Sequence, residues 1–375
     1  MKQCWETRYL GELCRIRTGK KDVNQGNPDG EFPFFTCAAK HTFSDSFSFD
    51  TEALLIAGNG DVGNVSYYKG KFEAYQRTYV LSDFKRVLPR FLYLILEGKL
   101  KETVSRQKLG NTMPYIKVGM LTDFRLPVPP LSEQQRIVGM LDEAFDGLAT
   151  ATANAEQNLR NARALFESQL QSVFTQRGKG WEEKRLDQVC TVERGSSPRP
   201  IKQYFTTAPD GVNWIKIGDT EEGGKYVYST AQKITPEGAK QSRFVKEGDF
   251  ILTNSMSFGR PYIMKTSGYI HDGWFVLRLN EGIDTDYFYY LIISPFVQGQ
   301  FHQLAAGSVV KNISGDLVKR AILPIPSHQE QKEIVESLDA LATETQRLES
   351  IYQQKLAALN ELKKSLLHEA FSGRL

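Results

Sequence analysis

This chain is written twice, and that duplication limits what it can fold into more than any other feature. Trp5-Glu6-Thr7-Arg8-Tyr9-Leu10-Gly11-Glu12-Leu13-Cys14 recurs as Trp181-Glu182-Glu183-Lys184-Arg185-Leu186-Asp187-Gln188-Val189-Cys190 at an offset of 176. Ile16/Val192 and Gly19/Gly195 continue the register. Later the offset becomes 197: Pro127-Val128-Pro129 matches Pro324-Ile325-Pro326, and Glu133-Gln134 matches Glu330-Gln331. Ile137-Val138 matches Ile334-Val335, Leu141-Asp142 matches Leu338-Asp339, and Leu170 and Phe174 match Leu367 and Phe371. So many matches in constant register mean one structural plan used twice, with about twenty residues added inside the second copy. Duplication alone does not settle function.

Each copy reads as a mixed α/β module followed by one long helix. Ala53–Ala57, Val65–Tyr68, Thr78–Leu81, Asp249–Thr253 and Trp274–Leu279 are short β-branched and aromatic runs bounded by turn residues, and they predict strands. Arg90–Leu100 and Asp286–Leu304 carry helical periodicity. After Pro129-Pro130, Ser132 is placed to cap a helix with Gln135 at N3; after Pro326, Ser327 is placed likewise with Glu330.

Apolar or small residues then recur at three- and four-residue steps. They are Val138, Leu141, Phe145, Leu148, Ala155, Leu159, Ala162, Phe166 and Val173, and again Leu338, Leu341, Leu348, Tyr352, Leu359, Leu362 and Leu366. Thr152, Gln169, Thr345 and Lys355 interrupt the stripe. A heptad stripe wants a partner helix, and antiparallel pairing of the two fits the connectivity. Each helix could run about forty residues, roughly 60 Å. The expected fold class is α+β, with two α/β modules separated by two long antiparallel coiled-coil helices about a pseudo-two-fold repeat. The expected segments are 1–130, 131–178, 179–323 and 324–375.

Composition supports a globular protein: 41% of residues are hydrophobic and 24% charged. No stretch approaches the length of a membrane-spanning helix and Met1–Leu10 lacks an apolar signal core, so a cytoplasmic location is the expectation. Residues 1–130 carry 19 Lys and Arg against 14 Asp and Glu, and residues 179–323 carry 18 against 16. The two helical segments are acidic, at 4 against 6 and 6 against 8. Basic modules beside acidic helices suit modules that meet phosphates.

Catalytic and cofactor motifs are missing. Gly58-Asn59-Gly60-Asp61-Val62-Gly63 spells a dinucleotide fingerprint, but strand, not helix, follows it, so it reads as a tight turn. No Asn-Pro-Pro-aromatic methyltransferase tetrad, metalloprotease helix or nucleophile elbow is present. Cys4, Cys14, Cys37 and Cys190 form no C-x-x-C pair and have no zinc spacing with the scattered histidines. Catalytic, metal and cofactor residues are therefore expected to be absent from this chain.

Several polar loops carry the side chains that read base edges and phosphates. In the first module they hold Lys20, Lys21, Asn24, Lys40, His41, Gln76, Arg77, Thr78, Arg106, Lys108, Asn111 and Thr112. In the second they hold Ser197, Arg199, Lys202, Lys216, Asn254, Ser255, Ser257, Arg260, His271, Ser308, Lys311 and Asn312.

The repeat, the proline-led helix starts at 126–138 and 323–335, and the ending Leu366–Leu375 together resemble the specificity subunits of type I restriction-modification systems. Module segments Gly58–Tyr68 with Arg77–Val80, and Gly248–Pro261, look like that family's target-recognition domains. The resemblance covers essentially the whole chain. It implies a non-catalytic subunit whose modules each read one half of a split, asymmetric site on double-stranded DNA, with the helices fixing the gap. Half-sites read on one face of B-DNA lie roughly 34 Å apart, which helices of this length can span.

The resemblance further implies two methyltransferase subunits that bind S-adenosylmethionine and flip out adenine. Restriction subunits would use ATP and magnesium. Docking would involve Leu131, Gln134, Gln135, Ile137, Gln331 and Ile334. A methyltransferase with an unrecognised site, or a coiled-coil scaffold that does not read DNA, are the competing readings.

Overall fold

Short apolar runs bounded by turn residues become the central strands, and the two proline-led segments become the starts of two long helices, Leu131–Thr175 (the central helix) and His328–Phe371 (the C-terminal helix). The computed structural model describes residues 5–105, 109, 114–221, 223–254, 259–305 and 314–375. The chain divides into two compact units, Met1–Gln157 with Gln353–Leu375, and Asn158–Tyr352. Each unit holds one module and part of both long helices.

In the first unit the strands are β1 (Glu6–Tyr9), β2 (Arg15–Thr18), β3 (Phe32–Phe35), β4 (Thr42–Ser44), β5 (Phe49–Ala57), β6 (Val65–Ala74), β7 (Thr78–Ser82) and β8 (Arg125–Val128). A six-stranded sheet runs β2-β7-β5-β6-β3-β4, antiparallel except where β3 meets β6, and β1 pairs with β8. Successive side chains of β5 point to opposite faces. Leu54 and Ile56 join a core with Phe91, Leu94 and Ile95 of the helix Pro89–Ser105; Ala53 and Leu55 join another with Phe35 and Phe72. A sheet covered on both sides explains why its central strand reads as an unbroken apolar run.

The second unit repeats this plan through β9 (Glu182–Arg185), β10 (Cys190–Arg194), β11 (Phe205–Thr206), β12 (Val212–Ile215), β13 (Tyr226–Val227), β14 (Gln232–Ile234) and β15 (Arg243–Val245). It continues with β16 (Phe250–Thr253), β17 (Pro261–Met264), β18 (Gly268–Ile270), β19 (Trp274–Leu279) and β20 (Ile322–Ile325). The sheets run β10-β19-β16-β17-β13 and β11-β14-β12-β18-β15, with β9 paired to β20. Phe250 and Leu252 face Tyr287, Phe288 and Leu291 of the helix Thr285–Ile293, while Ile251 faces Trp274 and Val276. Five strands lie between β10 and β16 where two lie between β2 and β5, which locates the added residues.

The long helices run antiparallel within each unit. In the first, Arg136 donates to the Leu375 backbone oxygen at 2.8 Å and Lys363 lies 5.2 Å over the Phe145 ring. Ile137, Leu141, Leu367, Ala370 and Phe371 close the module's core. In the second, Arg163 pairs with Glu349 at 3.1 Å, and Leu170, Phe174 and Leu338 do the closing.

Two helix-start details differ from the sequence expectation. Ser327 does cap the C-terminal helix, accepting the Glu330 N–H at 3.3 Å. Glu330 does not complete the capping box; its carboxylate accepts the Trp181 indole N–H at 2.7 Å. In the central helix Ser132 sits inside the first turn, and the Pro130 carbonyl receives the Glu133 and Gln134 N–H groups, both at 3.0 Å. Proline at that point already fixes the backbone that the serine was expected to hold. Within the stripe, Leu362 is 47% exposed while Thr345 is buried, so the seam runs through the threonine.

Candidate nucleic-acid interface

The same turn is built twice at one loop end of each module. In the first unit Thr78 N–H donates to Tyr75 O at 2.8 Å, Gly58 N–H to Arg77 O at 3.0 Å and Gly19 N–H to Thr78 O at 3.3 Å. In the second, Trp274 N–H donates to His271 O at 3.2 Å, Asn254 N–H to Gly273 O at 3.0 Å and Gly195 N–H to Trp274 O at 2.8 Å. Tyr75-Gln76-Arg77 is therefore the counterpart of His271-Asp272-Gly273. The loop after β2 or β10 crosses this turn at a glycine. A Cβ on Gly19 would stand 1.8 Å from the Ala74 carbonyl oxygen, and one on Gly195 2.0 Å from that of His271, so only glycine permits the crossing.

Around the first turn Lys20, Asn24, Lys40, His41, Gln76 and Arg77 are exposed. Gln76 donates through Nε2 to Asp22 Oδ2 at 3.2 Å. His41 leans on Phe35 and Phe43, with ring centroids 5.2 and 5.5 Å away. Lys21 points inward: its Nζ is 2.9 Å from Ser44 Oγ, 2.6 Å from Ser46 Oγ and 3.5 Å from the fully buried Glu73 carboxylate. Thr78, expected at the DNA surface, is buried and donates to the Phe35 carbonyl at 3.1 Å. Its place at the start of a central strand takes the hydroxyl out of reach.

Around the second turn Arg199, Lys202 and Arg260 are exposed. Arg199 Nη2 lies 3.7 Å from Asp272 Oδ2, and Ser197 Oγ donates to Asp272 Oδ1 at 2.7 Å. The Ser197 hydrogen bond, with lesser help from His271 and Arg199, holds the Asp272 carboxyl below the usual carboxylate range. Lys216 is half-buried. His271 is half-buried and its Nδ1 accepts the Gly273 N–H at 2.8 Å; burial holds its imidazole below the ordinary histidine value. Asn254 is a second correction. It is buried, and its Nδ2 donates to the Asp272 carbonyl at 2.7 Å, so it ties the turn down instead of facing outward.

Arg106, Lys108, Asn111, Thr112, Ser255, Ser257, Ser308, Lys311 and Asn312 lie outside the described residues. Asp22 and Asp272, acidic and so not sought beside phosphates, are what hold the exposed heads. A Gly followed three or four residues later by a turn-forming polar residue, opposite a second polar turn, is the signal that could have found them.

Of the residues expected to meet partner subunits, Leu131 and Gln135 are exposed. Ile137 is buried and Ile334 half-buried in the module cores. Gln134 and Gln331 are corrections: both are buried and serve as matched internal brackets. Gln134 accepts Leu88 N–H at 2.8 Å and donates to Arg86 O at 3.0 Å and Pro129 O at 2.8 Å. Gln331 accepts Asp284 N–H at 2.8 Å and donates to Gly282 O at 3.0 Å and Pro326 O at 3.1 Å. Buried amides that satisfy three backbone groups explain why both copies keep glutamine here.

Among the described residues no group of His, Cys, Asp and Glu is placed to hold a metal, and no helix is long and apolar enough to cross a membrane. Cys14 and Cys190, equivalent in the repeat, are buried and their thiols are pushed up to about 12, which leaves them unreactive near neutral pH.

Residues 2–159 and 178–358 match the family described as the type I restriction modification DNA specificity domain. The specificity subunit of the type I restriction enzyme EcoDI of Escherichia coli is 29% identical over 409 residues, covering 99% of this chain and 88% of that protein. The MjaVIII specificity subunit of Methanocaldococcus jannaschii is 22% identical over 412 residues, covering 99% and 93%. Among solved structures, a chain from work on complex assembly and conformational transition of the type I R-M system aligns with a TM-score of 0.81 at 19% identity, covering 100% of this chain and 99% of that one. The HsdS subunit of Thermoanaerobacter tengcongensis aligns at 0.60 and 18%, covering 100% and 98%. At these identities the two structures speak to the fold.

Proposed function

This chain belongs to the type I restriction-modification DNA specificity family, whose members recognise DNA and leave catalysis to other subunits. From that premise we propose that it reads a bipartite, asymmetric site on double-stranded DNA, one module per half-site. The long helices set the unspecified gap. Two methyltransferase subunits carrying S-adenosylmethionine, and restriction subunits using ATP and magnesium, assemble on it.

The observation that carries this reading is the twice-built turn. The backbone hydrogen bonds are the same in both modules, but the side chains they present differ. A duplicated frame with unlike exposed heads suits two related reading tasks with two different answers. The positive excess of the modules supplies phosphate attraction, and the polar heads supply base contacts. Lys20, Asn24, Lys40, His41, Gln76 and Arg77 in one module, and Ser197, Arg199, Lys202, Lys216, Arg260 and His271 in the other, are the proposed contact set.

The test is competition binding of the chain, assembled with its methyltransferase partners, at fixed salt. The duplex containing its site should outcompete a scrambled duplex by at least about a thousandfold. Equal binding to every duplex would favour the reading as a scaffold that does not recognise sequence.

A further inference from the structure

The matched turns allow a residue-level statement about what each module reads. It rests on the proposed function and goes beyond it. Gln76 and Asp272 occupy the same position in the two turns, by the three hydrogen bonds that frame each one. Each side chain is steadied by the loop that crosses at the required glycine. Asp22, three residues after Gly19, takes one N–H of the Gln76 amide. Ser197 and Arg199, two and four residues after Gly195, engage the Asp272 carboxylate. In both modules an exposed polar head is held in one orientation before any DNA arrives, which is what precise readout needs.

The two heads differ in what they can still bond. With one Nε2 hydrogen given to Asp22, the Gln76 amide keeps Oε1 as acceptor and one N–H as donor. That pair matches adenine in the major groove, where N6–H donates and N7 accepts. Asp272 offers only acceptors, and Ser197 and Arg199 keep it ionised. Close to DNA such a group is tolerated only against an amino donor, and cytosine N4 is the matching one. Arg199 has 83% of its side chain exposed and extends beside it, with the fork that suits guanine O6 and N7.

We propose that Gln76 and the Asp272–Arg199 pair are equivalent specificity-determining positions, Gln76 reading an adenine in one half-site and Asp272 with Arg199 reading a G·C pair in the other. The two half-sites then differ at the position that the shared turn addresses.

The experiment uses the chain with its methyltransferase subunits and S-adenosylmethionine on a randomised duplex library, with methylated molecules sequenced. Wild type should return a bipartite motif with an A·T pair in one half and a G·C pair in the other. Gln76→Ala and Gln76→Glu should each relax one position of the first half-site, by on the order of 10- to 100-fold in discrimination, and leave the second half untouched. Asp272→Asn and Arg199→Ala should relax one position of the second half-site by a similar factor and leave the first untouched. Thermal midpoints of all four variants serve as the folding control.

A variant that folds and loses rate equally on every sequence, or keeps the wild-type motif unchanged, overturns the assignment while the bipartite reading stands. A wild-type library with no sequence preference at all overturns both.

Discussion

Replacing Gln134 with alanine should loosen the joint between the first module and its helix. The amide satisfies three backbone groups, Leu88 N–H, Arg86 O and Pro129 O, at 2.8 to 3.0 Å, and the side chain is fully buried. Three neutral hydrogen bonds at about 1 kcal/mol each give about 3 kcal/mol of lost stability. For a unit of this size that corresponds to a fall of about 6–12 °C in the midpoint of its transition.

Because the chain has two units, a single global transition is a poor reporter, and amide exchange is the better assay. The Leu88 amide should exchange faster by on the order of 100-fold in Gln134→Ala. The Asp284 amide, held by Gln331, should keep its wild-type rate in that variant and accelerate only in Gln331→Ala. Leu88 exchange within a factor of two of wild type, with an unmoved midpoint, would refute the view that these glutamines are structural brackets.

Three further outcomes follow from the same structure. Deleting one heptad from each long helix removes about 10 Å of rise, so the gap in the methylated motif should shorten by about three base pairs with both half-sequences kept; an unchanged gap would exclude a helical ruler. Burial holds the His271 imidazole below the ordinary histidine value of about 6.5, and its Nδ1 must stay unprotonated to accept the Gly273 N–H, so it favours the folded state above that value and this contribution is lost as pH falls below it. Denaturant titrations of the second unit at pH 7.5 and 5.5 should show lower stability at the lower pH, and the difference should shrink in His271→Asn; an unchanged difference would count against this residue as the cause. Incubating the chain alone with DNA and labelled S-adenosylmethionine should transfer no methyl group, and label in the DNA would contradict its non-catalytic role.

The large features were legible because they are periodic. Matching prolines, heptads and Gln134/Gln331 announced two helices, and the apolar runs at 53–57 and 274–279 announced central strands. What was not legible depends on contacts between distant residues. Ser132 looks like a cap, but Pro130 had already set the turn. Gln134 and Gln331 look like surface polar residues near a helix start, yet two of the three partners of each lie almost fifty residues away. Thr78, at the start of β7, and Asn254, just past the end of β16, have the right chemistry for bases but are buried, the one in the sheet and the other against the turn at Asp272. The equivalence of Gln76 and Asp272 was hidden because the offset at that turn is 196, between the 176 and 197 that the flanking matches show. Only backbone hydrogen bonds reveal it.

Genome-wide mapping of methylated adenines after exchanging residues 1–130 for the module of another family member tests modular DNA reading most directly. The expected result is a motif in which one half changes, the other half stays as in wild type and the gap is preserved. A motif that changes in both halves, or one that does not change, would contradict it.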